Sequence, residues 1–291
     1  MVKKISDILK EKERTYSFEF FPPKTEKGRK KVLETADILT NTSPDWFAVT
    51  YGAGGSTREL TMDIVDEIQK RCRVPSMHHL TCGGHSREEL KTITDEMKRK
   101  DIHNILALRG DPPEGTNHWE PVPDGLDYTY QLCEFIRSHD ENFFSIGVAG
   151  FPEGHIDCPD KETDSKYLKM KVDAGGEFVI TQLFFDNKDY FEYSKRIRNA
   201  GVTVRIIPGI LPITNYQTLL KFCKRCGATI PPQVHNIFKP LDGDNEAMYK
   251  AGVEFAVKQC NELLEGGAPG LHFFTLNKSD PTWEILNQIN R

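Results

Sequence analysis

The residues best equipped for chemistry stand at the ends of short apolar runs. They are Glu19 in SFEFFPP, Thr50 and Tyr51 in AVTYG, His79 and Thr81 in HHLTC, Arg109 and Asp111 in ALRGD, Gln182 in ITQLFF, and Asn277 and Lys278 in FFTLNK. Alternation along a strand puts Ser17, Glu19 and Phe21 on one side and Phe18 and Phe20 on the other. A carboxyl walled by phenylalanines is partly desolvated, which favours its protonated form and suits Glu19 to general acid work. The alternative is a lining carboxylate paired with a Lys or Arg. Asp111 precedes Pro112, Pro113 and Glu114, an N-cap pattern. It is either a cap or a negative charge beside an electron-rich ring system, tuning a redox cofactor. Gln182 interrupts the longest apolar run with an amide that donates and accepts at once, serving either a ligand or a neighbouring strand.

Other candidates are weaker. His78, His79, Cys82 and His85 include metal-binding types, but adjacent histidines in a strand point to opposite faces, and no H-x-H or H-E-x-x-H accompanies them. No metal centre is expected, although a metal-dependent barrel hydrolase stays open as a different chemistry. Cys223 and Cys226 fall in a helical pattern and have no second pair at zinc-finger spacing. Residues 150–155, with Asp164, Lys169 and Lys171 downstream, could meet ribose, adenine or phosphate, or the lysines could be a solvated face.

The elements that must position these groups recur about every 30 residues, the period of a βαβ unit. Strands are predicted over 15–20, 46–51, 76–82, 104–109, 143–149, 178–184, 203–208 and 270–276. Helices are predicted over 27–39, 58–71, 87–100, 128–139, 165–174 and 190–199, with apolar spacings of three and four such as Leu60, Ile64 and Ile68. Near-unbroken apolar strands such as FVITQLFF fit a parallel sheet covered on both faces. The interval before the last strand has room for two helices, 216–225 and 244–264, with Pro231 and Pro232 breaking the pattern between them. The expectation is a single α/β domain over 1–291, a (β/α)8 TIM barrel with an extra helix between strands seven and eight and its site at the carboxyl ends of the strands. An open doubly wound sheet would call for G-x-G-x-x-G or G-x-x-x-x-G-K-[ST], and neither occurs.

Bulk properties narrow the class. The 291 residues include 43 acidic and 38 basic side chains, a net charge of -5, which argues against a broad nucleic-acid surface. No stretch approaches the ~20 apolar residues of a membrane span, and residues 1–12 lack the apolar core of a signal peptide. Seven scattered cysteines make no disulfide framework, so a reducing cytoplasm is expected.

The motifs SFEFFPPKT, FAVTYGAGGS, HHLTC, ILALRGDPP, AGFPEGH, KVDAG, ITQLFFD, IIPGILPI and GLHFFTLN follow one another in this order. Together, over residues 16–278, they resemble the flavin-dependent methylenetetrahydrofolate reductases, in the form of the bacterial catalytic unit. The resemblance implies a barrel that holds FAD without a Rossmann motif. It implies reduction of 5,10-methylenetetrahydrofolate to 5-methyltetrahydrofolate in two half-reactions at one flavin face, with NADH or NADPH as donor. By the same resemblance Glu19 is the acid, Asp111 lies near flavin and pterin, and Gln182 touches folate and nicotinamide. Flavin contacts fall on Thr50, Tyr51, Ala53, His79, Arg109, Gly110, Asp111, Phe151, His155, Asp164 and Lys171. Folate contacts fall on Thr218, Phe222 and Lys278. Phe151, Tyr167 and Met170 stand where some members have Tyr, Asn and Arg, and Thr218 and Lys278 where some have Gln and Arg. The implied state is a cytoplasmic homo-oligomer, with a partner subunit in a larger redox complex as an option. A noncatalytic or electron-receiving flavoprotein subunit is the third alternative.

Overall fold

A computed structural model describes residues 2–51, 58–111 and 122–290. Eight parallel strands close into a barrel in sequence order: β1 (Thr15–Phe20), β2 (Trp46–Val49), β3 (Ser76–Thr81), β4 (Asn104–Leu108), β5 (Ser145–Gly150), β6 (Phe178–Leu183), β7 (Arg205–Ile210) and β8 (Gly270–Phe274). The expected TIM barrel is therefore what forms. Closure is made by β1 against β8, with Ser17 opposite His272 and Glu19 opposite Phe274. Strand seven does not stop at Pro208. It runs through the proline to Ile210, and its pairing with β8 uses Gly209 and Ile210.

Outside the strands lie α2 (Glu26–Thr40), α3 (Arg58–Cys72), α4 (Arg87–Arg99), α5 (Thr129–His139), α6 (Lys161–Asp173) and α7 (Asn187–Asn199). Outward residues such as Phe18, Phe20, Ile105, Ile146 and Val148 pack under helix residues such as Leu39, Ile68, Ile93 and Leu132 in the largest buried cluster. Local signals set the starts. Ser86 and Glu89 form a capping box at α4, and Asp160 accepts from the Thr163 N–H at α6.

Two regions depart from the sequence expectation. A short helix, α1 (Ile5–Glu11), buries Ile5 and Leu9 in a cluster with the inward residues Trp46, Ala48, Met77, Leu106, Phe178, Ile180 and Ile207. It plugs the amino-terminal end of the barrel. The inward Asn104 and Ser145 side chains accept from the Ile5 and Ser6 N–H groups, two of the donors a helix start leaves unpaired. Gly147 makes room for the Phe178 ring, whose atoms would lie 2.5 Å from a Cβ there. Between β7 and β8 stand three helices, α8 (Tyr216–Cys226), α9 (Pro232–Phe238) and α10 (Asn245–Glu265), with a 3-10 turn at Lys239–Leu241. Pro232 opens α9 at its first position, where a missing N–H costs nothing, so the proline pair starts an element. A last helix, α11 (Asp280–Gln288), packs on α10.

The lower barrel is filled by apolar side chains, by α1 and by the Asn104 and Ser145 groups that hold it, and Glu19, His79 and His272 stand towards the upper end.

Candidate active site

Glu19 sits inside that upper end, 8% exposed. One of its oxygens meets two imidazoles: His272 Nε2 of β8 at 3.1 Å and His79 Nε2 of β3 at 3.3 Å. His272 is fully buried, and its other nitrogen, Nδ1, lies 2.8 Å from Ser17 Oγ on β1. Thr275 Oγ1 donates to the Glu19 carbonyl at 2.6 Å, fixing the strand end. The phenylalanine-walled picture of a protonated acid is therefore corrected. Burial pushes the Glu19 carboxyl up, but His79 and His272 pull harder and hold it down, to about 2. Its partners are histidines, not the Lys or Arg of the alternative. His78 turns outward against the Tyr51 ring, 5.8 Å between centroids, so the two adjacent histidines do not share a site.

Around this centre the expected residues fall into groups. Thr50 and Tyr51 follow β2, with Tyr51 Oη 3.3 Å from His85 Nε2. Gln182 lies where the β6–β7 register shifts between Ile180 and Leu183. Its Oε1 accepts from the Leu183 N–H at 2.9 Å, its own next residue and not a neighbouring strand. Phe222 of α8 stacks on Phe21, 6.3 Å and 30° apart, and Phe21 is 39% exposed. Phe21 is itself held by both ends of the Asn277 amide. Lys278 reaches Thr214 Oγ1 at 3.4 Å, and Thr218 sits in the first turn of α8, where Asn215 caps its N–H.

A second group lies where β5 meets α6. The Lys171 ammonium donates to the Ala149 carbonyl at 2.6 Å and stands 5.6 Å from the centre of the Phe151 ring. Phe151 in turn meets His155 edge-on at 4.6 Å. Burial lowers the Lys171 pKa and raises that of Asp164, while each group's charge favours the ionised form of the other. Lys169 behaves differently, pairing with Asp173 on the outside of the helix. Of the two lysines, only Lys171 leaves the solvated face.

Arg109 lies over the Tyr128 ring at 5.7 Å, Gly110 takes a left-handed φ of 91°, and Asp111 pairs with Arg225 of α8 at 2.8 Å. Both partners of that pair are about two-thirds exposed, so it contributes little to stability. Ala53 and the residues that would show whether Asp111 is a cap lie outside the described residues.

The sequence profile described as methylenetetrahydrofolate reductase matches residues 4–290. The chain belongs to the methylenetetrahydrofolate reductase family. It is 34% identical to the 5,10-methylenetetrahydrofolate reductase of Salmonella typhimurium, over 94% of this chain and 90% of that one. It is 36% identical to methylenetetrahydrofolate reductase (NADH) 1 of Arabidopsis thaliana over 99% of this chain. With the probable methylenetetrahydrofolate reductase (NADPH) of Caenorhabditis elegans the identity is 33% over 98% of this chain. The chain spans about half the length of these plant and animal relatives, 50% and 44%. Among solved structures, an uncharacterized protein from Clostridium thermocellum that binds two copies of 5-methyl-5,6,7,8-tetrahydrofolic acid superposes with a TM-score of 0.63 at 16% identity, covering 97% of this chain and 96% of its own, a likeness of fold.

Of the positions where this member of the reductase family departs from some others, Tyr167 and Met170 are exposed on α6, at 53% and 40%, Tyr167 one turn before Lys171 and Met170 next to it in sequence. Sequence reasoning missed His272 and Ser17. The signal was available: in GLHFFTLN, alternation puts His272 on the same face as Phe274, and β8 must lie beside β1 once a barrel closes. It missed Arg225 as well, and no pattern in the sequence singles that residue out.

Proposed function

We propose that this chain reduces 5,10-methylenetetrahydrofolate to 5-methyltetrahydrofolate with FAD, in two half-reactions at one flavin face, taking electrons from NADH or NADPH. The observation that carries this beyond family membership is a buried carboxylate between two imidazoles at the mouth of the barrel, within a family whose members are named for this reaction.

The residues between β5 and α6 fit an anionic, aromatic cofactor. Lys171 is a desolvated ammonium spending one of its three donors on a carbonyl, beside a phenylalanine and a histidine. That arrangement would serve a diphosphate. Lys171, His155, Arg109 and Asp164 would hold FAD, with Thr50, Tyr51, His79 and Gly110 as its further contacts. When bound, the flavin supplies hydride storage between the two substrates.

The chain's own residues supply the rest. Phe21 and Phe222 offer an apolar surface on which a pterin or a nicotinamide stacks in turn. Gln182 orients either ring through its amide nitrogen, and Lys278 and Thr218 meet the folate tail. Asp111 places a negative charge near the flavin. Glu19 delivers the proton to N10 that opens the five-membered ring, with the electron pair of the broken C–N bond staying on that nitrogen. We assign the reaction to the cytoplasm and to a homo-oligomer of this one domain.

The test is an anaerobic titration. FAD-loaded protein bleached by NADH or NADPH and then recoloured by methylenetetrahydrofolate, with 5-methyltetrahydrofolate recovered, supports the proposal. No bleaching by either nicotinamide, or no recolouring by folate, rejects it.

A further inference from the structure

We infer that Arg196 of α7 is a positioning residue for the proposed cofactor site. It ties the segment after β5, which carries Phe151 and His155, to α6, and it gives Asp164 a second cation, which leaves the Lys171 ammonium to an anionic ligand. This rests on the proposed FAD site and adds to it a residue that acts through that segment and not on the cofactor.

Tyr193 and Arg196 stand three residues apart on α7, so they share a face of the helix. Tyr193 is fully buried, and its hydroxyl lies so close under Gly150 that a Cβ there would collide with it. Strand β5 ends on that glycine, and Phe151 follows. The Arg196 guanidinium lies over the Tyr193 ring at 5.3 Å, and its fork reaches two ways from there. Nη2 donates to the Pro152 carbonyl at 3.3 Å, and Nε donates to Ser165 Oγ at 3.2 Å. Ser165 Oγ is free to accept because its own proton goes to the Lys161 carbonyl at the start of α6, 2.8 Å away. Pro152 follows Phe151, and Ser165 follows Asp164, so one side chain sets how the end of β5 and the first turns of α6 stand to each other.

Charge supplies the second half. Asp164 is 6% exposed; burial works against its ionised form, while Lys171 and, more weakly, Arg196 favour it. A buried carboxylate needs a counter-ion. If Lys171 served alone, its ammonium and the carboxylate would cancel, and a diphosphate would meet a closed pair that it had to open. With Arg196 present, two cations face one carboxylate, and a positive charge is left over for an anion. The position of the lysine agrees: its ammonium donates to the Ala149 carbonyl at 2.6 Å and not to Asp164. Without Arg196, Lys171 is the cation to which the desolvated carboxylate turns, and the ligand loses it.

Quenching of flavin fluorescence reads FAD affinity in the full chain. Arg196→Met keeps the stem and loses the charge and the donors, so FAD should bind about thirtyfold more weakly than to the parent. In Asp164→Asn, where no carboxylate competes for Lys171, the same substitution should cost only about threefold, a roughly tenfold coupling between residues of one network. Arg196→Lys keeps the charge without the fork and should cost about threefold in the parent. The tie itself is read without FAD, by hydrogen exchange of the amides of residues 151–160 in the cofactor-free chain, which should quicken about tenfold in both Arg196 variants. An Arg196→Met cost that is equal in the two backgrounds, an Arg196→Lys loss as large as that of Arg196→Met, or exchange at the parent's rate overturns the inference. A parent that binds no FAD rejects the functional proposal instead, and the exchange rates still decide whether Arg196 holds the segment.

Discussion

At the scale of single residues, the centre of the site is a contest between desolvation and two imidazoles. Strand alternation alone puts Glu19 inward, and the phenylalanines around it in sequence suggest an apolar wall. Those phenylalanines are real, but Phe18 and Phe20 point outward into the helix layer, while the inward neighbours are histidines from β3 and β8. Contacts between strands 60 and 250 residues apart have no local signature, which is why the sign of the Glu19 shift was not legible. The variant Glu19→Gln nearly conserves shape and removes the acid. It is expected to be bleached by NADH or NADPH at close to the parent's rate and to recolour with methylenetetrahydrofolate about 10²–10⁴-fold more slowly, in rapid-mixing absorbance measurements. Equal recolouring rates would move the acid's role elsewhere. The same residue ties stability to acid pH. Its folded-state value of about 2 lies below the ordinary 4.5, so the stabilisation its charge contributes is fully present above about pH 4.5 and is lost as pH falls toward 2. Urea titrations from pH 5 down to pH 2.5 should show a steeper loss in the parent than in Glu19→Gln.

At the scale of elements, periodicity found what repeats and missed what caps. The eight strands and the helices between them carry their own spacing, so their order and the polar ends of the strands could be read directly. The plug α1 could not. Its apolar residues Ile5, Ile8 and Leu9 have helical spacing, but seven residues rich in charge make no helix in isolation, and only the open end of a barrel gives them something to cover. Ile5 is the test. It is fully buried against inward residues of the lower barrel, so Ile5→Ala should destabilise the fold by about 2–5 kcal/mol, the range for emptying a large aliphatic site in a core. The loss would be read as a lower urea midpoint with unchanged slope. The active-site end is at the opposite mouth, so both half-reactions should keep their rates at temperatures where the variant is folded. A drop below about 1 kcal/mol would mean that α1 rests on the barrel without sealing it.

At the scale of the whole molecule, the barrel divides its labour between ends, and the polar end carries groups whose burial is compensated only in part. Lys171 is the plainest of these. A desolvated ammonium with a single carbonyl partner and a nearby buried carboxylate is an arrangement that an anionic ligand would complete. Cofactor binding should therefore appear as folding free energy. With FAD at about 100 times its dissociation constant, stability should rise by about 2.7 kcal/mol, and for a chain of 291 residues the thermal midpoint should rise by roughly 4 °C. Lys171→Met isolates the residue's share. It removes one charge-assisted hydrogen bond to phosphate, about 1.5–3 kcal/mol, so FAD should bind roughly tenfold to a hundredfold more weakly. At that FAD concentration, about half of the thermal increment should vanish for a tenfold loss and most of it for a hundredfold loss. Comparing each protein with its own cofactor-free form removes whatever Lys171→Met does to Asp164 and to the packing around Phe151, because those effects are present with and without FAD. Acid-released flavin, measured by absorbance after gel filtration, gives the same comparison without heating. An increment for Lys171→Met as large as the parent's would mean that the ammonium is a structural partner of Asp164 and that the diphosphate is held elsewhere.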